Sequence, residues 1–242
     1  VVTDNMGGYT WDGNSRLNRI TAWNNNPTTD VPSEIIYLKC NNKMWTLNHG
    51  INNDGNNYYI NYGFGYANFR HTCEGIIQEN TIFVPQKEKV KINLLKLKNT
   101  EPKNKRIKIV YYIKPVLGED ELKTNTFIKN YTSDNFVIVR NLYGNNSEII
   151  IMSSEKIKSY TGNKESFIGQ GSLVIPDGLR TENLSNENGV GQQSCIAVEL
   201  EIELDSYESK DIVLAYGVNK DELEKFQDIN YDQYKEAEVI EK

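Results

Sequence analysis

The residues best equipped for chemistry stand near the amino terminus, between Gly7 and Glu34. Tyr9, Trp11 and Trp23 supply flat rings, Arg16 and Arg19 guanidinium forks, Asn24 an amide, and Asp30 and Glu34 carboxylates. Sugars offer an apolar face of C–H groups and a rim of hydroxyls, so their sites pair aromatic platforms with planar polar groups. On that reading Tyr9, Trp11 and Trp23 are platforms, and Arg16, Arg19, Asn24, Asp30 and Glu34 form the polar rim. The same residue types also suit a structural task. Trp11 and Trp23 would then anchor a core or interface, and the arginines would pair with Asp30 or Glu34 to pin a long loop.

Catalytic groups are harder to assemble. Glycoside hydrolysis wants two carboxylates flanking a cleft, and Asp30 with Glu34 is the pair at hand, but Pro27 and Pro32 exclude a helix that would align them. The two histidines, His49 and His71, lack an H-x-x-x-H spacing for a metal and a G-x-S-x-G elbow for a nucleophile. Cys73 beside His71 reads as strand packing. Cys40, Cys73 and Cys195 are odd in number and widely spaced, which predicts reduced, buried thiols rather than zinc or redox pairs. No catalytic residue and no metal ligand is assigned. A second aromatic group, Tyr58, Tyr59, Tyr62, Phe64 and Tyr66 around Gly63 and Gly65, fits either a stacking surface or the two sides of a strand.

The elements that must position these groups are strands. Ile196, Val198, Leu200, Ile202 and Leu204 alternate with Ala197, Glu199, Glu201, Glu203 and Asp205, which predicts a strand with an apolar core face and an acidic face in water. Val90, Ile92 and Leu94, then Ile107, Ile109, Tyr111 and Ile113 after a polar turn, read as an antiparallel hairpin. Further strands are expected at 34–39, 58–62, 67–72, 76–84, 136–141, 148–153 and 211–216, separated by Gly, Asn, Asp and Ser clusters. The pattern is all-β, a sandwich, filling one domain over residues 1–218. From Asn219 the signals change: Asn219 as cap, Glu222 at the capping-box position, and Leu223 and Phe226 on one face predict a short helix within a 219–242 linker, with Tyr231, Tyr234 and Val239 continuing the stripe. The net charge of -6 and scattered basic residues exclude a nucleic-acid stripe. No apolar run approaches the ~20 residues that span a bilayer. Val1 reads as a cut end.

Motif order adds a resemblance. Gly7-Gly8-Tyr9-Thr10-Trp11, Asn14-Ser15-Arg16 with Arg19-Ile20-Thr21, Trp23-Asn24-Asn25-Asn26-Pro27 and Asp30-Val31-Pro32-Ser33-Glu34 stand almost unbroken as in a known signature. Tyr62 to Tyr66, Gly75-Ile76, Phe83-Val84-Pro85, Leu97-Lys98-Asn99 and Pro115 to Gly118 follow in order. The chain resembles the amino-terminal domain of cellobiose phosphorylases and cyclic β-1,2-glucan synthases, glycoside hydrolase family 94, formerly glycosyltransferase family 36. It departs at Gln193-Ser194-Cys195, where the family carries D-P-C.

The resemblance implies a galactose-mutarotase-like β-supersandwich with a short C-terminal helical linker toward an (α/α)6 catalytic barrel absent from this chain. It implies a carbohydrate-binding or scaffolding role without catalysis of its own, with no cofactor and with phosphate as a co-substrate of the parent enzyme. Expected partners are a β-glucan or glucose-containing oligosaccharide, the catalytic barrel of the same polypeptide and a second copy in a homodimer. Two alternatives stay open: a stand-alone sugar enzyme such as an aldose mutarotase, and a purely structural dimerisation domain. Reduced cysteines suggest the cytoplasm, and the resemblance allows the cytoplasmic face of a membrane through segments outside this chain.

Overall fold

The computed structural model describes residues 1–24, 26, 28–51, 54–124, 128–133, 136–143, 147–189 and 194–226. Short strands dominate: β1 (Arg19–Thr21), β2 (Glu34–Cys40), β3 (Lys43–Thr46), β4 (Tyr58–Gly63), β5 (Tyr66–Cys73), β6 (Ile76–Phe83), β7 (Val90–Asn99), β8 (Lys105–Ile113) and β9 (Pro115–Gly118). The short helix α1 (Glu121–Thr124) precedes β10 (Ile128–Ser133), β11 (Phe136–Asn141), β12 (Glu148–Ser153) and β13 (Ser159–Asn163). Helix α2 (Lys164–Ile168), β14 (Ser194–Leu204), β15 (Ser209–Gly217) and α3 (Lys220–Glu224) complete the order. An eight-stranded sheet runs β10-β11-β12-β15-β7-β6-β5-β4, a five-stranded sheet β13-β14-β8-β2-β3, and β1 pairs with β9 apart from both.

The two large sheets face each other across the main core. Leu95, Leu97, Ile212 and Leu214 of the larger sheet meet Ile36, Leu38, Ile109 and Leu200 of the smaller. Both outer faces are covered as well. Val90, Ile92, Leu94, Val213 and Ala215 pack with Leu223 and Phe226 from α3 and just beyond it. Tyr37, Val110, Tyr112 and Ala197 pack under Phe167, Leu179 and Leu184. Burying a side chain such as Phe167 completely is worth roughly 1.5–3 kcal/mol, and cover on both faces explains why Ile35 to Leu38 and Ile107 to Ile113 are almost continuously apolar.

The strands expected from alternation are present, with one change of partner. Residues 90–94 and 107–113 do not form a hairpin. β7 lies between β6 and β15 in the larger sheet, whereas β8 lies between β14 and β2 in the smaller. The turn after Asn99 carries the chain from one layer to the other. The faces also differ from expectation: Val90, Ile92 and Leu94 turn to the outer cluster, while Asn93 points inward and bonds the Tyr111 hydroxyl at 3.1 Å. β14 departs too, since Glu199 on its expected wet face is fully buried, held by Lys108 at 3.1 Å and Ser159 at 2.6 Å. The segment from α2 to Leu184 covers that end of the strand.

At α3, Asn219 caps as predicted, its Oδ1 accepting from Asp221 N at 2.9 Å. Glu222 does not reach back to close a capping box. Its Oε2 accepts instead from Lys89 N at 2.8 Å, tying the helix to the loop before β7. Tyr231, Tyr234 and Val239 lie outside the described residues, as does the rest of the 219–242 linker beyond Phe226. Cys40, Cys73 and Cys195 are free and buried, and burial pushes the Cys195 thiol up to about 12. No helix among the described residues is long and apolar enough to cross a membrane.

Candidate functional site

Two adjacent glycines shape the entry to the amino-terminal loop. A Cβ on Gly7 would stand 2.5 Å from Asp30 Oδ1, so a bare Cα lets the Asp30 side chain lie against the backbone. Gly8 has φ +92°, and a Cβ there would meet the Val1 carbonyl oxygen at 2.2 Å. The chain then leaves toward Tyr9 in a direction that another residue would block. Asn5 secures the far end of the loop, donating through Nδ2 to the Asp30 carbonyl at 3.1 Å.

The next residues run beside β1. Thr10 accepts from Ile20 N at 2.8 Å and donates through its own N–H to Thr21 Oγ1 at 2.9 Å, while Trp11 bridges Arg19. Asn14 Oδ1 accepts from Arg16 N and Leu17 N, closing the intervening turn. This pairing brings four of the expected residues together. The Tyr9 ring lies 5.1 Å from Trp11 and 5.3 Å from Trp23, stacked on the latter at 28°. Arg19 places its guanidinium carbon 5.6 Å from the Tyr9 centroid and 5.4 Å from that of Trp23. Ser15 O orients the fork by accepting from Arg19 Nε at 3.1 Å. Trp11 is 39% exposed and Trp23 44%, so the cluster is a surface platform and neither tryptophan is a core anchor.

The other expected residues are placed elsewhere. Arg16 is exposed on the Asn14 turn, and Asn24 bonds locally to Thr29 Oγ1 and Asn26 N. Asp30 rests against Gly7 at φ +35°. Glu34 is 7% exposed, inside the sandwich and not on the rim. Its Oε1 accepts from Lys91 Nζ at 2.5 Å and Tyr216 OH at 2.8 Å, and its Oε2 from Tyr111 OH at 2.8 Å. Burial, then the Glu34 charge, holds both tyrosines well above the ordinary phenol range, keeping them neutral donors. Lysine, not arginine, therefore answers Glu34. With both oxygens engaged, Glu34 is not the partner of Asp30 in a hydrolytic pair.

This network supports the platform from below. Tyr216 OH also bonds Thr10 Oγ1 at 2.8 Å, linking the loop between Tyr9 and Trp11 to the inter-sheet space. Two grooves flank the loop. One of about 810 Å³ runs between Asp12–Asn18 and Leu117, Lys123, Asn141 and Glu148. The other, about 400 Å³, lies beside Trp11 under Pro85 to Lys91 and includes Tyr216. Lys89 spans to Asp12 at 3.1 Å at its edge. Both volumes are of the size that holds a sugar unit or more.

Of the second aromatic group, Tyr59, Tyr62 and Phe64 are exposed along the β4–β5 hairpin, with Phe64 at 98%. Tyr58 is not part of that surface: its ring stacks on His71 at 4.0 Å. Beneath it His71, Cys73 and Asp54 gather their side chains, a grouping the sequence reading missed. Its signal was the H-x-C spacing, which on a strand sends both side chains to one face.

Fold and loop together define a β-supersandwich domain with a polar-braced aromatic platform. The chain belongs to the glycosyl hydrolase 94 family as its supersandwich domain, whose profile matches residues 1–234. It is 24% identical over 240 residues to an N,N'-diacetylchitobiose phosphorylase of Vibrio furnissii, covering 93% of this chain and 30% of that protein. To the cyclic beta-(1,2)-glucan synthase NdvB of Rhizobium meliloti (strain 1021) it is 20% identical over 219 residues, covering 86% of this chain and 8% of that protein. Among solved structures, a bacterial glucoamylase complexed with acarbose shares the fold at a TM-score of 0.52 and 13% identity, over 84% of this chain and 30% of that one. The chain thus spans less than a third of each.

Proposed function

We propose that this chain is the sugar-facing, noncatalytic part of a glycosyl-transferring enzyme that acts on a β-glucan or glucose-containing oligosaccharide, either by phosphorolysis or by transfer. The Tyr9–Trp23–Arg19 cluster carries this reading. Aromatic faces stacked at the surface and fixed by a guanidinium offer an apolar platform with N–H donors at its edge, which matches a pyranose face and its hydroxyls. Residues 1–218 are the sandwich, and 219–242 lead to a catalytic barrel of the same polypeptide that supplies the acid chemistry and a phosphate co-substrate. A second copy in a homodimer, and a place in the cytoplasm or at the cytoplasmic face of a membrane, belong to the same reading. A stand-alone mutarotase needs a histidine and a glutamate facing one cleft; His71 is fully buried beneath Tyr58, which leaves that reading to the half-buried His49.

Tryptophan fluorescence of the chain, titrated with glucose and β-1,2- and β-1,4-linked glucan oligosaccharides, tests the proposal. Saturable quenching that disappears in Trp23→Ala and Trp11→Ala is the expected result. Absence of any response with every glucan would leave a purely scaffolding domain.

A further inference from the structure

Asp54, His71 and Cys73 bring an oxygen, a nitrogen and a sulfur donor within 4.8 Å of one another. His71 and Cys73 are two residues apart on β5 and share its inward face, while Asp54 arrives from the segment before β4. The Asp54 and His71 side chains are 2% and 0% exposed, and Cys73 is 4% exposed. We propose that these three residues form a binding site for one divalent transition-metal ion of the zinc type, which fastens the Asp54 segment to β5.

The donor set is that of zinc, which takes thiolate, imidazole and carboxylate together at bonds of about 2.0–2.3 Å, so that neighbouring donor atoms lie roughly 3.3–3.8 Å apart. His71 Nε2 and Asp54 Oδ2 are already 3.1 Å apart. The supporting contacts are those that metal ligands require. His71 Nδ1 faces the Asn57 carbonyl oxygen at 3.2 Å; a carbonyl only accepts, so Nδ1 carries hydrogen and Nε2 is the nitrogen turned toward the site. Asn56 holds Asp54 through its N–H at 3.1 Å and its amide at 2.9 Å. Tyr58 lies parallel to the imidazole at 6° and fixes its plane.

Charge balance favours the exchange. Without metal the two ring nitrogens of His71 face the Asn57 carbonyl and Asp54, and the Cys73 thiol bonds Asp54. A dication would take the Nε2 lone pair and displace the thiol proton to solvent, so that thiolate and carboxylate together balance its two charges, and no redox partner is needed. Three protein donors leave one tetrahedral position for a water, and the ion would brace the fold.

Cobalt(II) titration of the chelator-stripped 242-residue chain provides the test. One equivalent should bind with a thiolate-to-cobalt absorption band in the near ultraviolet, zinc should bleach that band, and zinc should raise the melting temperature by at least a few degrees where magnesium does not. Cys73→Ser and His71→Gln should lose the band, and Cys40→Ala should keep it. Should either loss variant fail to fold, Asp54→Asn, which retains most of the local hydrogen bonds, must still weaken cobalt binding at least tenfold. A wild-type chain that takes up cobalt without a sulfur band, or takes up neither metal, would show the cluster to be a hydrogen-bonded triad only and overturn the proposal.

Discussion

Lys91 of β7 reaches across the space between the sheets to Glu34 at the head of β2, its Nζ 2.5 Å from Oε1, with both side chains at most 10% exposed. The pair sits in an interior that is otherwise largely apolar, and the hydroxyls of Tyr111 and Tyr216 also donate to the carboxylate. It joins the two layers at one end of the sandwich, directly behind the loop that carries the aromatic platform.

Removing one member should therefore cost far more than removing both. Glu34→Ala strands a buried ammonium and two phenols, and a loss of about 3–5 kcal/mol is expected. Urea denaturation of Glu34→Ala, Lys91→Met and the double variant Glu34→Ala/Lys91→Met measures the coupling. The double variant is expected to be more stable than Glu34→Ala, and additive losses would mean that the pair acts independently.

The platform predicts the reverse balance between stability and binding. Arg19→Ala removes two exposed cation–π contacts worth about 0.5–1 kcal/mol each. The change in urea midpoint should be small while glucan quenching falls sharply. Arg19→Lys should recover little of it, since an ammonium lacks the planar fork.

Backbone conformation separates two glycines of the same loop. Gly8→Ala combines positive φ with a collision against the Val1 carbonyl, whereas Gly13, at φ +67°, has open space around an added Cβ. Gly13→Ala should cost about 1 kcal/mol, the intrinsic strain alone. Gly8→Ala should cost more and shift the Trp11 and Trp23 emission, because Tyr9 follows it directly. Equal losses, with unaltered emission in both, would contradict this account.

Stability should also fall in acid through Glu201. Hydrogen bonds from Arg106, first, and Lys158 hold its carboxyl below the ordinary value of 4.5. The unfolded chain binds that proton at higher pH than the folded one, so the contribution is complete above about pH 4.5 and disappears as pH falls through the lowered value. Solvent screens this partly exposed group, and about 1 kcal/mol or less is expected. Denaturation midpoints followed between about pH 6 and pH 3 should decline less steeply in Glu201→Gln than in wild type.

The amino-acid sequence by itself determined most of the strands, because a period of two is a local property: Ile196 to Leu204 and Phe136 to Asn141 are legible from their own residues, whereas β1, β3, β9, β10 and β13 were not. It determined the cap at Asn219, the buried thiols, and the family, through the order of motifs from Gly7 to Gly118. It also singled out Tyr9, Trp11, Trp23 and Arg19. Only the tertiary structure decided that these four meet at the surface while Glu34 turns inward, that β7 and β8 belong to opposite sheets, that Glu199 is dry, and that Asp54 joins His71 and Cys73. The reason is physical. Whether a side chain is wet, paired or exposed depends on what covers it, and the covering groups are remote along the chain: Tyr216 lies 182 residues from Glu34, and Ser159 lies 40 from Glu199. Alternation names the two faces of a strand but not which of them another layer will close.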